Sequence, residues 1–108
     1  MIELTKSQKK KVRQLIEKAL MHDYSDAIRS IRNVCDSYVD GKSDPKEYYH
    51  KLYSTLSSKD EDIARRYDNL TGSRYLPTLI MLLREGILSK SDLEELDDNL
   101  RKYLLSIV

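Results

Sequence analysis

Residues that break helices or crosslink chains are scarce in this sequence. Its 108 residues include three glycines, two prolines and one cysteine, and neither tryptophan nor phenylalanine. So few glycines and prolines leave few places for turns, which favours long helices. The single cysteine, Cys35, excludes an intramolecular disulfide and is typical of a reducing compartment. We therefore expect a helical protein of the cytoplasm.

A long apolar run and an excess of charge of one sign are also missing. The longest apolar run extends only from Leu79 to Leu83, against about 18 residues for a membrane span. The basic N-terminal segment lacks the apolar stretch of a signal peptide, so we do not expect secretion. The 19 basic and 18 acidic residues leave a net charge of +1, which excludes strong attraction of the molecule as a whole to nucleic acid. We expect no transmembrane segment, and we rank nucleic acid below protein as a partner.

The sequence does contain helix caps followed by apolar residues at helical spacing. Thr5-x-x-Gln8, Ser58-x-x-Glu61 and Ser89-x-x-Asp92 have capping-box spacing, and Asp44-Pro45 is a typical helix start. These signals predict helices over 5–21, 24–39, 45–57, 58–70, 73–86 and 89–108, with 45–57 and 58–70 either separate or joined at a kink. The predicted fold is all-α: a single domain, residues 1–108, folded as a compact bundle of five or six helices.

Two of the predicted helices carry heptad-like apolar seams, one on the helix over 24–39 and one on the last helix. Both seams can face one intramolecular core, or one can remain for a second copy of the chain. We predict a homodimer, which covers Ile31 and Tyr38 if its interface uses the seam of the helix over 24–39, and a buried structural thiol at Cys35. The predicted core consists of Ile28, Ile31, Val34, Leu52, Leu56, Ile63, Leu79, Leu83, Leu96, Leu100 and Leu104.

Recognisable catalytic, metal and cofactor motifs are missing from the sequence. His22 and His50 are the only histidines, and neither has the spacing of a metal site. The glycines fall at predicted helix ends and form no phosphate-binding loop. We therefore predict no enzymatic activity, no metal and no cofactor.

Tyrosines and basic residues are the candidates for binding. Tyr48 and Tyr49 are adjacent and cannot both face one core, so Tyr49, His50 and Tyr53 form a candidate interaction patch, with the rim of the core as the alternative. A candidate basic patch consists of Lys6, Lys9, Lys10, Arg13, Arg65, Arg66 and Arg74. It can contact phosphates, or its first-helix lysines can pair with the acidic last helix.

The segment 50–93 resembles the fluorescence recovery protein family. The resemblance rests on Lys51-Leu52, Leu56-Ser57, Lys59, Ile63, Tyr67-Asp68, Leu82-Leu83-Arg84-Glu85-Gly86-Ile87 and Asp92-Leu93. It implies an all-helical, dimeric regulator, since that family binds the orange carotenoid protein. The positions that match the family's functional patch hold His50, Tyr53, Ser54 and Asp60 and do not retain it, so the resemblance implies the architecture and not the carotenoid-protein partner.

The chain is also similar to bacteriocin immunity proteins in its size, helical character and lysine-rich N-terminus, and this similarity implies a membrane-associated target. Our leading prediction is a non-enzymatic regulator or adaptor that acts through protein–protein binding. An immunity-type helical bundle and a nucleic-acid-binding protein that uses the basic N-terminal helix are the alternatives.

Overall fold

The fold is all-α, as the caps and apolar periods predict. The computed structural model describes residues 3–108. The α-helices are α1 (Lys6–Ser37), α2 (Pro45–Tyr67), α3 (Tyr75–Arg84) and α4 (Asp98–Ile107), and two 3-10 helices cover Gly72–Arg74 and Lys90–Glu95. No strand occurs in residues 3–108. Within the same residues, no helix is long and apolar enough to cross a membrane.

Helix α1 continues through Met21-His22-Asp23, so the prediction of two helices with a boundary there was wrong. Asp23 favours such a boundary because its carboxylate can bond the local backbone. In the structure that carboxylate is buried and instead accepts a hydrogen bond from the Tyr67 hydroxyl at 2.7 Å. A tertiary contact has therefore replaced the local one. Helix α2 runs unbroken past Ser58, so the alternative in which 45–57 and 58–70 are joined agrees with the structure, and separate helices are excluded.

Three of the predicted helix starts are confirmed. The backbone N–H of Thr5 donates to the Gln8 side chain at 2.9 Å, and the Thr5 hydroxyl accepts from the Gln8 N–H at 3.1 Å. The Asp44 carboxylate accepts from the backbone N–H of Lys46 at 3.1 Å. Asp92 closes the capping box that begins at Ser89.

The segment after Ser89 nevertheless contains less α-helix than predicted. The capping box opens only the 3-10 helix Lys90–Glu95, and the backbone is extended at Leu96. Asp97 then caps α4, accepting from the backbone N–H of Leu100 at 2.8 Å. The prediction of one continuous helix over 89–108 missed this second cap, because Leu96 and Leu100 satisfy the helical period whether or not the chain breaks between them.

The chain divides into two units, which we call the terminal unit (residues up to Met21 together with Asn69–Val108) and the hairpin (His22–Asp68). The terminal unit has a leucine-rich core between the first part of α1, helices α3 and α4 and the segment joining them. Each such leucine contributes about 1.5–3 kcal/mol on full burial. The buried apolar residues of this unit are Val12, Leu15, Ile16, Ala19, Leu76, Leu79, Leu82, Leu88, Leu93, Leu96, Leu100 and Leu104.

The hairpin consists of the second part of α1 and the antiparallel helix α2, and its core is thin. Among the described residues of the hairpin, Ala27 is the only buried apolar one. The predicted core is therefore confirmed for Leu79, Leu96, Leu100 and Leu104 and wrong for Ile28 and Leu56, which are exposed. Ile31, Val34, Leu52, Ile63 and Leu83 are half-buried. Two packed helices shield only the line along which they touch, so apolar residues beside that line remain open.

Candidate functional site

Ion pairs along the inner line of the hairpin fix the register of its two helices. Lys59 donates to the Asp26 carboxylate at 2.9 Å, and this hydrogen bond lowers the pKa of Asp26. Nearer the end of the hairpin that lies away from the turn, Asp23 pairs with Arg66 at 3.3 Å. At the closed end the rings of Tyr38 and Tyr48 meet edge to face with centroids 5.5 Å apart. These contacts hold α1 and α2 antiparallel.

An apolar stripe on each helix lies beside this inner line. Each residue of an α-helix turns the chain by about 100°, so Tyr24 and Ile28, one position after Asp23 and Ala27, point to one side of the hairpin. Because α2 runs in the opposite direction, its residues one position after Tyr48 and Thr55 point to that same side. We call this surface the apolar face. It consists of Tyr24, Ile28, Ile31 and Cys35 from α1 and Tyr49, Leu52, Tyr53 and Leu56 from α2.

A groove confirms that the two stripes share one side. It has a volume of about 300 Å³ and is lined by Val34, Cys35, Tyr38, Pro45, Tyr48, Tyr49 and Leu52, from both helices and the turn between them. Cys35 is exposed at this groove, so the prediction of a buried thiol was wrong. The predicted apolar seam that includes Cys35 is present, but it lies beside the line of contact between α1 and α2 instead of within it.

The apolar face is large for the surface of one small chain. Its large side chains are exposed by 45% at Tyr24, 62% at Ile28, 69% at Tyr49, 66% at Tyr53 and 55% at Leu56. With roughly 200 Å² for a whole tyrosine side chain and slightly less for leucine or isoleucine, these five expose on the order of 600 Å². The largest apolar patch on a typical monomer measures about 300–600 Å², and patches at this limit mark interaction sites.

The predicted patch Tyr49, His50 and Tyr53 lies at the α2 side of this face. The Tyr49 and His50 rings meet edge to face, 6.0 Å between centroids. Tyr49 is exposed and Tyr48 half-buried, so the prediction that the two do not both face one core is confirmed. Tyr24, Ile28 and Leu56 were missed as surface residues because their periodicity equally fits a core. The small inner residues Ala27 and Ser30 were the available signal, since they allow close helix contact one position away from the seam.

The terminal unit carries a second surface feature, which we call the basic groove. It is open, has a volume of about 780 Å³, and is lined by Lys6, Ser7, Lys9, Lys10, Arg13, Gly72 and Tyr75. Four members of the predicted basic patch thus lie together, and Arg74 precedes one of the lining residues in the chain. The fold brings them to residues that are distant in sequence.

Four other cations of α1 or of the predicted patch have acidic neighbours. Lys18 donates to Asp92 at 2.7 Å, and this bond raises the pKa of Lys18 and lowers that of Asp92. Lys11 lines a small cavity with Glu95 and Asp97. In the hairpin, Arg65 pairs with Asp62 at 3.3 Å and Arg66 with Asp23. The predicted basic patch is therefore divided between the two units.

The described residues contain no group of three or more His, Cys, Asp or Glu side chains that could hold a metal ion. Comparison of the chain with protein-family models, curated proteins and solved structures finds no match.

Proposed function

We propose that this chain is a non-enzymatic regulator or adaptor that acts through protein–protein binding, and that its apolar face joins it to a second copy as a homodimer. The observation that carries the proposal is the exposure of a large apolar face on a hairpin with one buried apolar residue in its described part. Two helices alone bury too little apolar surface to offset the conformational entropy lost on folding. A second apolar layer would supply the missing burial.

The area of the face supports a second copy as that layer. Two faces packed together would bury on the order of 1,200 Å², which reaches the lower end of the range for specific, stable interfaces. A two-fold axis would bring the same surface of each copy into contact. The two hairpins would then form a compact four-helix bundle, the commonest way to cover paired antiparallel helices.

The positions of the apolar residues also support this pairing. Ile28 follows Asp26 by two residues and Leu56 precedes Lys59 by three, so Ile28 and Leu56 lie within about 1.5 Å of the same height along the hairpin. With the two-fold axis parallel to the helices, Ile28 of one copy would face Leu56 of its partner. Tyrosines at the margin of the face suit an interface, because a phenol combines apolar area with a polar tip.

The proposed dimer and a cytoplasmic location agree with two further features. The family that segment 50–93 resembles is dimeric. An exposed thiol at Cys35 is compatible with a reducing compartment.

Cys35 is a native probe of this interface, because it is the only cysteine and lies on the apolar face. We expect its alkylation by iodoacetamide to slow several-fold as protein concentration rises, since the dimer covers the thiol. Leu56→Asp should remove the concentration dependence and leave alkylation fast. Leu56 is 55% exposed, so the variant should keep the native helical circular dichroism spectrum.

Leu105→Asp is the matched control, because Leu105 is an exposed leucine, 42% accessible, on α4 of the terminal unit. Its alkylation should depend on concentration as in the native chain. A native alkylation rate as fast as that of Leu56→Asp at every concentration would contradict the proposal. The same dependence of alkylation rate on concentration in Leu56→Asp and Leu105→Asp would also contradict it.

A further inference from the structure

The cations of the basic groove have few acidic partners. Lys6, Lys9 and Lys10 form no ion pair within residues 3–108, and no carboxylate lies among the residues that line the groove. In the described part of the chain Arg13 pairs only with Glu17, at 3.4 Å, and both side chains are more than 60% exposed. An exposed pair of this kind contributes little to stability and leaves the arginine available to a stronger partner. The groove is therefore a local concentration of positive charge on a chain whose net charge is only +1.

The spacing of these cations has a cost for the helix. Lys6, Lys9, Lys10 and Arg13 recur at intervals of three and four residues, which places them on one side of α1. Like charges at such intervals repel one another and destabilise a helix. Lys18, on the same helix, differs from these four residues because its charge is paired with the Asp92 carboxylate. A ligand that carries several negative charges would remove the repulsion on the groove side.

The groove also contains an aromatic ring and the backbone of Gly72. Tyr75 is half-buried at the start of α3. An added Cβ at Gly72 would lie 3.6 Å from Nζ of Lys9, an ordinary contact distance. The lining therefore combines four cationic side chains with one aromatic ring. A ligand that fits it has regularly spaced anionic groups together with flat, unstacked rings.

We propose that the basic groove binds single-stranded nucleic acid, with its phosphates on the cations and one base on Tyr75. Combined phosphate contacts and aromatic stacking are the usual mode of single-strand binding. A duplex presents phosphates but keeps its bases stacked inside, and an anionic membrane presents a flat charged surface, so neither would use the ring within the groove. This site lies in the terminal unit and does not rest on the proposed dimer.

Binding of a fluorescently labelled single-stranded oligonucleotide of about 12 nucleotides, followed by anisotropy over a series of salt concentrations, tests this proposal. Four neutralised phosphates predict a slope of log affinity against log salt of roughly −3, because each contributes about −0.7. Lys10→Gln should weaken binding and reduce the slope by about 0.7. Lys11→Gln is the matched control, because Lys11 is next to Lys10 in sequence but lines a different cavity, together with Glu95 and Asp97. This variant should leave the affinity and the salt slope unchanged.

Tyr75→Leu separates stacking from charge. It should lower affinity roughly fivefold or more, the loss of one base stack, while the salt slope remains native. An unchanged thermal unfolding midpoint shows that the variant is folded; if it does not fold, the two lysine variants still decide. The proposal is overturned if the oligonucleotide does not bind at low salt, or if Lys10→Gln and Lys11→Gln have equal effects. It is also overturned if duplex DNA or vesicles containing anionic lipid bind as tightly as the single strand.

Discussion

The Asp92 side chain connects the segment after α3 to helix α1. It accepts a hydrogen bond from the Ser89 backbone N–H at 2.8 Å and from Lys18 at 2.7 Å. The side chain of Asp92 is only 15% exposed, and these donors lower its pKa. Asp92→Asn should reduce the free energy of unfolding at neutral pH by on the order of 1 kcal/mol, because a charge-assisted bond is lost. Thermal unfolding followed by circular dichroism measures the change.

The pH dependence of this effect has a definite sign. A carboxyl whose pKa is lowered by folding stabilises the native state above its unfolded pKa, about 3.9, and this stabilisation is lost as pH falls through the folded pKa. The difference in free energy of unfolding between the native chain and Asp92→Asn should therefore be largest at pH 6–7 and shrink below about pH 4. The control is Asp98→Asn, because Asp98 is 77% exposed and pairs only with its helix neighbour Arg101. A difference that stays constant down to pH 2 would contradict the role given to Asp92.

Helix α3 ends in a turn that requires glycine. Gly86 has a φ of 76°, and the N–H groups of Gly86 and Ile87 donate to Leu83 and Leu82, which is the Schellman pattern. Gly86→Ala should destabilise the chain by about 1 kcal/mol, since a Cβ disfavours this backbone conformation. The unfolding midpoint should fall by roughly 4–8 °C.

Gly72→Ala is the control for Gly86→Ala. An added Cβ at Gly72 would meet only the flexible end of Lys9 at 3.6 Å, an ordinary contact distance. Its unfolding midpoint should stay close to that of the native chain. Equal destabilisation by the two alanines would show that the turn geometry at Gly86 is not the cause.

The caps show how far local sequence determines these helices. Thr5, Asp44 and Ser89 begin helices as predicted, because a cap acts through hydrogen bonds two or three residues away. The continuation of α1 past Met21 could not be predicted in the same way, and the continuation of α2 past Ser57 was only one of two alternatives. Whether α1 continues depends on Asp23 reaching Tyr67, a contact across 44 positions of sequence, and local patterns contain no information about such a partner.

For the entire chain, the sequence shows which residues are apolar and repeat at helical spacing, but not what covers them. The stripe through Ile28 has the same period as the buried stripe through Leu15, and only the structure distinguishes the two. The basic groove shows the same limit, since its cations are evident in the sequence whereas their proximity to Tyr75 arises from the fold. The single-domain organisation over residues 1–108 and the regulatory role stay predictions.

The central claim is that the apolar face joins two copies, and light scattering coupled to size exclusion over a range of concentrations measures this most directly. We predict a mass near twice the 12.7 kDa of one chain for the native protein and for Leu105→Asp, and a mass near 12.7 kDa for Leu56→Asp. A native mass near 12.7 kDa at every concentration would contradict the claim, and it would remove the main reason to prefer a regulator over a monomeric immunity-type protein.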